Sequence, residues 1–500
     1  MERYDTAVAA DPFARATICF QELTGELGSL GAGRLTHDEL EDLLTERGRQ
    51  LMRQLLQDHL DLRALREEAD HAAAAAAAGR SRVERGHGRA LATVVGPVTV
   101  RRLAFRAPGK PNIYPADDAL ALPLTRHSLG LRRLAVLEAA RGSYDDAHRA
   151  IERRCGQVAG KRQLEELVRA AAVDVAAFYT ARTPVPSTSE VLLVLSADAK
   201  GIVMRPDALR PDTAKAAAGK KRGRGVFRTR LASGEKSCRK RMAALACVYD
   251  AAPAPRRPHD VIAVPGGRTG GRTLRKGPRA RAKWLTASID RDAAAVITAA
   301  FDQAEARDPA HRRCWVVLVD GDRHQIELAE AEAARRKVTI HLIVDLIHVI
   351  EYLWKASWCF HAKDDPAAED WVARHALALL HGRCAEAAAR IARQADDLGL
   401  TTERRGGVEE CMRYLTNKEP YLRYAQALEQ GWPIATGVVE GACRHLIADR
   451  FDITGSRWSV KGAEALLLLR SVIINGDFEE YWLHHIEQEH LRTRQARHQD

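Results

Sequence analysis

The chain has 500 residues, of which 46% are hydrophobic and 29% charged, a balance that excludes both a disordered polymer and a polytopic membrane protein. That length exceeds what one hydrophobic core usually holds, so two to four domains are expected. The formal net charge of +11 fits a polyanionic partner, and its distribution along the chain says more than its sum.

No apolar run reaches the roughly 18 to 20 residues of a membrane span, and the opening MERYDTAVAADPF lacks a basic-then-apolar export pattern. The expectation is a cytoplasmic protein with no membrane partner. The nine cysteines (Cys19, Cys155, Cys238, Cys247, Cys314, Cys359, Cys384, Cys411, Cys443) are scattered and contain no C-x-x-C pair. They read as reduced thiols filling cores, and neither a zinc ribbon nor a disulfide frame is expected.

In chain order, a capping pair at Thr36 and Glu39 precedes Leu40, Leu43, Leu44, Leu51, Leu55 and Leu60 at near-helical intervals, which predicts a long helix running into Ala72–Ala78. This N-terminal helical region covers residues 1–90. Residues 91–182 form the next region. Its text ATVVGPVTVRRLAF, Ala92 to Phe105, predicts a small hairpin around Gly96-Pro97. SYDDAHRAIERRCGQVAGKRQLEELVRAAA then reads as helix, glycine-bearing turn and helix. As a helix-turn-helix it sets Lys161, Arg162 and Gln163 where base-reading residues sit; the alternative is a plain helical hairpin.

The linker Thr183–Ser189 (TPVPSTS) marks a boundary near residue 185, after which the texture changes. Apolar runs at 191–197, 241–249, 314–319 and 338–344, with helical patterns between the later ones, predict an α/β sheet over residues 190–350. Inside it, at about 205–285, lies a basic insertion. Lys215–Arg241 holds eleven Lys or Arg and one acid, Glu235; Arg268–Lys283 holds seven and none. Solvated loops normally mix both signs, so these runs point to phosphate contact through Lys220, Lys221, Arg222, Arg224, Arg272, Arg275 and Lys276. Residues 351–431 are helical in pattern and read as an inserted domain. Residues 432–500 read as the last part of the sheet domain with C-terminal helices.

A carboxylate ending a buried strand is costly to leave uncompensated. Asp198 follows VLLVLSA and Asp320 follows CWVVLV, so that arrangement occurs twice. Two such aspartates, a later Glu and large basic insertions match what two-metal phosphoryl transfer demands, with the ions ~3.5 to 4 Å apart. Glu440 is the candidate third acid. Helical spacing sets Thr436, Glu440 and Arg444 on one face, so Glu440 also reads as a surface residue paired with Arg444. VDGD offers Asp322 as an alternative to Asp320, which directly ends the apolar run.

VLLVLSADAKGIVM, RMAALACVYD, CWVVLVDGD, VTIHLIVDLIHVIEYLWKA and TGVVEGACRHLIADRFDITGSRWSVKGAEALLLLRS resemble the successive blocks of the ISKra branch of insertion-sequence transposases. ATVVGPVTVRRLAFR and SYDDAHRAIERRCG are similar to that family too, so the resemblance touches most of the chain. It implies an RNase H-like mixed-sheet catalytic core interrupted by a helical insertion, preceded by a mainly helical DNA-binding region with a small β-hairpin. The family's Asp-Asp-Glu triad falls on Asp198, Asp320 and Glu440. Where the family pattern usually carries Gly after the first acid, this chain has Ala199. The resemblance also sets a D-x-x-H pair, Asp345 and His348, beside the active site. It aligns Arg457-Trp458 with a block downstream of the Glu; Trp458 fits base stacking or, more commonly for this residue, a core.

The implied activity is metal-dependent cleavage of element ends to a 3'-hydroxyl, then attack of that hydroxyl on target DNA. Two Mg2+ ions, with Mn2+ as substitute, are the implied cofactors. The partners would be DNA, as terminal inverted repeats and target, and further copies of the chain as a homodimer or higher oligomer on the nucleoid. The alternatives are an RNase H-like nuclease that only hydrolyses, and a transposase-derived DNA-binding protein without chemistry.

Overall fold

Thr36 starts the longest helix as the sequence suggests, its backbone N–H and hydroxyl both donating to Glu39 Oε2, at 2.8 and 2.9 Å. The helix runs His37–Ala77. The structure, a computed structural model, describes residues 11–184, 187–211, 214–215, 240–265 and 273–498. It divides into two compact units, Met1–Thr180 with Asp477–Asp500, and Ala181–Gly476. The final helix, Phe478–His498, thus belongs with the N-terminal unit, whereas the sequence reading runs it on from residue 432. Among the described residues no helix is long and apolar enough to cross a membrane, and the described cysteines are free thiols.

In the first unit, β1 (Arg82–Thr93) and β2 (Gly96–Arg106) pair antiparallel, with a bulge between Glu84 and His87; the turn falls at Val94-Val95, two residues before the expected Gly96-Pro97, which pair with Thr93 and Ala92 inside the ladder. Period-two alternation buries Val98 and Val100 against Leu60 of the long helix and exposes Thr99 and Arg101. Helices Leu129–Arg141, Tyr144–Cys155 and Lys161–Ala171 pack together, the second opened by a Ser143/Asp146 capping box.

A buried ionic network ties the last helix to this cluster. His485 is fully buried; its Nδ1 lies 2.6 Å from Asp174 Oδ2 and its Nε2 3.2 Å from Arg132. A guanidinium only donates, so Nε2 accepts and the ring proton sits on Nδ1, facing Asp174. Arg492 grips both oxygens of Asp174 at 2.6 and 2.9 Å, and Arg132 also donates to Glu489 at 3.1 Å.

Burial holds His485, and likewise His127 and His375, below the usual histidine value of 6.5. The folded state therefore keeps these rings neutral while the unfolded chain binds protons as pH falls through 6.5. Stability is complete above that pH and declines below it, down to the lowered folded values. The expected result is a lower urea midpoint at pH 5.5 than at pH 8. An unchanged or higher midpoint at pH 5.5 would contradict it.

In the second unit, β3 (Leu192–Val203), β4 (Lys240–Ala251), β5 (Ala280–Ser288), β6 (Trp315–Val319) and β7 (Ile340–Val344) form one mixed sheet in the order β5-β4-β3-β6-β7. β5/β4 and β4/β3 are antiparallel; β3/β6 and β6/β7 are parallel. The unit is thus α/β with both strand senses in one sheet. The first five residues of β3, all of β6 and the last three residues of β7 carry near-continuous buried apolar runs, as strands covered on both faces must.

β5 corrects the sequence reading, which assigned residues 205–285 to a basic insertion. Arg281 and Lys283 mask its first half, whereas Trp284 to Ser288 are all buried. β4 also begins inside that range, at Lys240.

Helices Leu346–Ser357, Pro366–Leu380, Cys384–Asp397, Gly406–Lys418 and Tyr424–Glu429 fill the predicted helical stretch, which contains no described strand. Gly407 lets the fourth of these cross the first closely, since a Cβ there would run into the Lys355 carbonyl oxygen and lie 2.9 Å from Cys359 Sγ. Gly407→Ala is therefore expected to cost about 2 kcal/mol, typical of overpacking, read as a shift in urea midpoint. An unshifted midpoint would show that the crossing relaxes freely.

Candidate active site at the carboxyl ends of the parallel strands

The parallel ladder between β3 and β6 ends at Ser196↔Leu318, and that between β6 and β7 at Val319↔Val344. An aspartate follows shortly after each of the three strands' last parallel pair: Asp198, Asp320 and Asp345. This is the edge where open α/β sheets usually bind ligands. Asp198 is not at a strand end, as the sequence suggested. β3 continues to Val203 alongside β4, with Asp198 opposite Leu245, so the acid stands mid-strand just beyond the reach of β6.

Asp198 is half-buried. Its Oδ1 accepts from Ala199 N at 2.6 Å and its Oδ2 from the Cys443 thiol at 3.2 Å. Lys200, two residues on, lies on the same side of the strand by its pleat and 3.9 Å from Asp452. Asp320 directly follows β6. Its Oδ1 accepts from Asp322 N at 2.8 Å, and its carbonyl from the Tyr414 hydroxyl at 3.1 Å. Between the two aspartates, Gly321 has φ +94°, and a Cβ there would collide with the Tyr414 hydroxyl. Asp322 is exposed and caps helix Arg323–Arg336 through Gln325 N at 3.0 Å, which accounts for it locally.

Asp345, the acid after β7, is fully buried and caps helix Leu346–Ser357 through Ile347 N at 2.9 Å. Its other oxygen accepts from Thr436, whose hydroxyl oxygen also lies 2.8 Å from Glu440 Oε1. A hydroxyl has one proton, so it satisfies only one of two ionised carboxylates at a time. Burial raises the Asp345 carboxyl above its usual range against the hydrogen bonds from Thr436 and Ile347, and the charge of Glu440 adds to the rise. Cys443 is pushed up as well, by burial and then by Asp198, with Glu440 adding. Four carboxylates thus share one neighbourhood: Asp198 and Glu440 around Cys443, Glu440 and Asp345 around Thr436, Asp345 and Asp320 around Tyr414.

Glu440 stands on the helical turn Gly437–Ala442, its side chain exposed apart from the Thr436 contact. A π-helical turn, Cys443–Ala448, follows at once, a distortion frequent at functional sites. Arg444, expected on the face of Glu440, instead approaches Asp449 at 4.0 Å and is exposed. His348 is half-buried one turn into the helix that Asp345 caps. Trp458 is buried against Phe451 and under Arg450, its main chain bonded to Val203 and Arg205, so it packs the core and its ring is not free to stack on a base.

Compared with protein-family models and with curated protein sequences, the chain matches none.

Among the described residues no three His, Cys, Asp or Glu side chains are already arranged to grip a single ion. The donor chemistry nevertheless fits magnesium, a hard cation that usually takes one or two carboxylates and keeps several waters. Asp345 and Glu440 each approach the same Thr436 oxygen.

In the N-terminal unit, Lys161 and Arg162 are exposed at the start of helix Lys161–Ala171, paired with Asp145 and with Glu166 at 3.5 Å. Gln163 is spent locally, its oxygen accepting from Gly160 N at 3.0 Å. Arg275 and Lys276 are exposed; Lys220, Lys221, Arg222, Arg224 and Arg272 lie outside the described residues. Sequence reasoning missed Lys200, Tyr414 and Cys443. The DAK triplet carried a signal for the first, since alternation puts Lys200 beside Asp198; nothing local marked the other two.

Proposed function

We propose that the chain is an insertion-sequence transposase of the Asp-Asp-Glu type, with an RNase H-like core that cleaves element ends and transfers them to target DNA. The observation that carries this reading is the gathering of Asp198, Asp320 and Asp345 at one edge of a mixed sheet, with Glu440 joined to Asp345 through Thr436. The charge of Glu440 adds to the rise of the buried Asp345 carboxyl, a like-charge contact of the kind a bound cation relieves. The mixed strand order and the overall net charge of +11 support the same reading.

Asp198, Asp320 and Glu440 would hold two Mg2+ ions, or Mn2+ in their place, which when bound activate the attacking oxygen and stabilise the leaving one. The remaining work belongs to the chain. Thr436 fixes the rotamer of Glu440, Cys443 that of Asp198, and Tyr414 braces the main chain at Asp320. Lys200 offers a cation to a phosphate beside Asp198, and Lys161, Arg162, Arg275 and Lys276 add basic charge for DNA. Because in-line phosphoryl transfer asks mainly for positioning and charge neutralisation, no nucleophilic Ser, Cys or Lys is required.

The test uses the full chain and duplex DNA carrying the imperfect inverted repeats that flank its gene. Nicking to a 3'-hydroxyl in Mg2+ or Mn2+, lost in chelator, together with joining of a precut 3'-hydroxyl end, is the expected result. Cutting without joining would select a hydrolytic nuclease instead. Binding with no metal-dependent cutting would leave a DNA-binding protein without chemistry.

A further inference from the structure

The segment that carries Glu440 changes register twice. Over Gly437–Ala442 it is α-helical, over Cys443–Ala448 π-helical, and over Asp449–Phe451 α-helical again. The main-chain N–H of Asp449 reaches five residues back to the Arg444 carbonyl, whereas Asp452 N bonds four back, to Ala448 O at 3.0 Å. Between these two bonds stand three carbonyls, of His445, Leu446 and Ile447, and only two N–H groups, of Arg450 and Phe451. One carbonyl is therefore left without a ladder donor of its own. Leu446 and Ile447 are fully buried, and an unpaired main-chain group is costly in such surroundings.

Arg470 supplies the missing donor. It stands half-buried on helix Val460–Ile474, and its guanidinium bonds two of those three carbonyls. Nε donates to Leu446 O at 2.8 Å, and a terminal nitrogen donates to His445 O. A guanidinium carries its donors in a rigid fork, which suits two acceptors set side by side. Its helix is in turn fastened to β5, where Asn475 exchanges hydrogen bonds with the Leu285 main chain at 2.8 and 3.0 Å.

The extra residue of the π turn matters because the segment is anchored at both ends. Upstream, Thr436 touches Asp345 and Glu440, and the Cys443 thiol donates to Asp198. Downstream, Phe451 is fully buried against Trp458, whose main chain is bonded to Val203 and Arg205 at the end of β3. An α-helix turns by about 100° per residue, so a one-residue change of phase would swing Glu440 and Cys443 by that much against the downstream anchor.

We infer that Arg470 is a positioning residue for the acid edge: by holding the π turn it keeps Glu440 and Cys443 facing Asp345 and Asp198. That Glu440 holds a metal ion rests on the function proposed above; the hold on Cys443 does not.

Arg470→Met keeps the side-chain stem and removes the donors, and Arg470→Lys keeps a charged donor. In the full chain, alkylation of Cys443 by iodoacetamide, read by peptide mass spectrometry, should quicken at least about 10-fold in R470M and stay within about threefold of the parent in R470K. Cys247 and Cys411, fully buried elsewhere in the unit, would report a general loosening and should keep the parent's rates. Mn2+ binding, followed by the spin-resonance signal of the free ion, should weaken at least about 10-fold in R470M. In nicking of element-end DNA the loss should fall on kcat, with KM within about threefold of the parent's. Cys443 as protected in R470M as in the parent, or Cys247 and Cys411 quickening equally with it, would overturn the proposal. So would unchanged Mn2+ binding or a loss carried by KM alone. A parent that neither binds Mn2+ nor nicks DNA would sink the metal reading instead, with Cys443 still deciding the part played by Arg470. Should R470M fail to fold, R470Q, whose shorter amide cannot span both carbonyls, is read in its place.

Discussion

Asp198→Asn, or Glu440→Gln, is expected to lower metal-dependent cleavage of element-end DNA by about three orders of magnitude, or ~4 kcal/mol of transition-state stabilisation. Binding of the same DNA should stay within a few-fold. Each change keeps the size of the side chain and an oxygen acceptor, so the contacts from Ala199 N to residue 198 and from Thr436 to residue 440 survive. What is lost is one negative charge from the acid set proposed to hold the metal ions. A folding defect is separable, because the urea midpoint of either variant should match or exceed the parent's once a like charge is gone. Cleavage within tenfold of the parent, at an unchanged midpoint, would remove these two residues from the proposed chemistry. Asp322→Asn serves as the contrast. Its carboxylate caps a helix at the surface, and its loss should leave cleavage nearly intact.

The second large effect concerns the N-terminal unit. Asp174→Ala is expected to destabilise that unit by roughly 3 kcal/mol, because removing one member of a buried ionic set strands the rest. Asp174 accepts from His485 and from both terminal nitrogens of Arg492, and it is held ionised against the opposing cost of burial chiefly by Arg492 and then His485. Its removal leaves the Nδ1 proton of a fully buried imidazole without an acceptor. Arg492 is partly exposed and can turn to water, which limits the loss. Arg132→Ala should be at least as damaging, since that guanidinium is itself buried and Glu489 and His485 both rely on it. Urea denaturation followed by the fluorescence of Trp482, on the same helix, reads both; a change below 1 kcal/mol for either would show that the network relaxes without penalty.

The sequence announced the acids more clearly than their setting. Asp320 and Asp345 stand directly after apolar runs because β6 and β7 stop where the sheet stops, and runs of five and three buried residues are hard to miss. Asp198 was legible as a residue but not in its place, since DAKGIV continues the strand in polar guise while pairing with β4 on one side only. The link between Thr436 and Glu440 was visible in their i, i+4 spacing. The same arithmetic failed one turn later for Arg444, because the π-helical turn from Cys443 changes the period. β5 was obscured for a different reason: its first half is exposed and basic, and charge outweighed alternation. Cys443 and Tyr414 could not be read at all. Their contacts with Asp198 and Asp320 span 245 and 94 residues, and only the closed fold brings them in.

The pairing of Tyr414 with the Asp320 carbonyl, admitted by the bare backbone of Gly321, gives the helical excursion a part in events at the sheet edge. That excursion is a buttress as well as a decoration: it presses a rigid ring onto the peptide that carries the middle acid. Shortening the chain between residues 358 and 431 to a simple connector would leave every strand and all four carboxylates in the polypeptide, yet free the loop at 320–321 to wander. Damage far out on those helices should therefore surface as slack in the alignment of the acids, with the outline of the sheet unchanged.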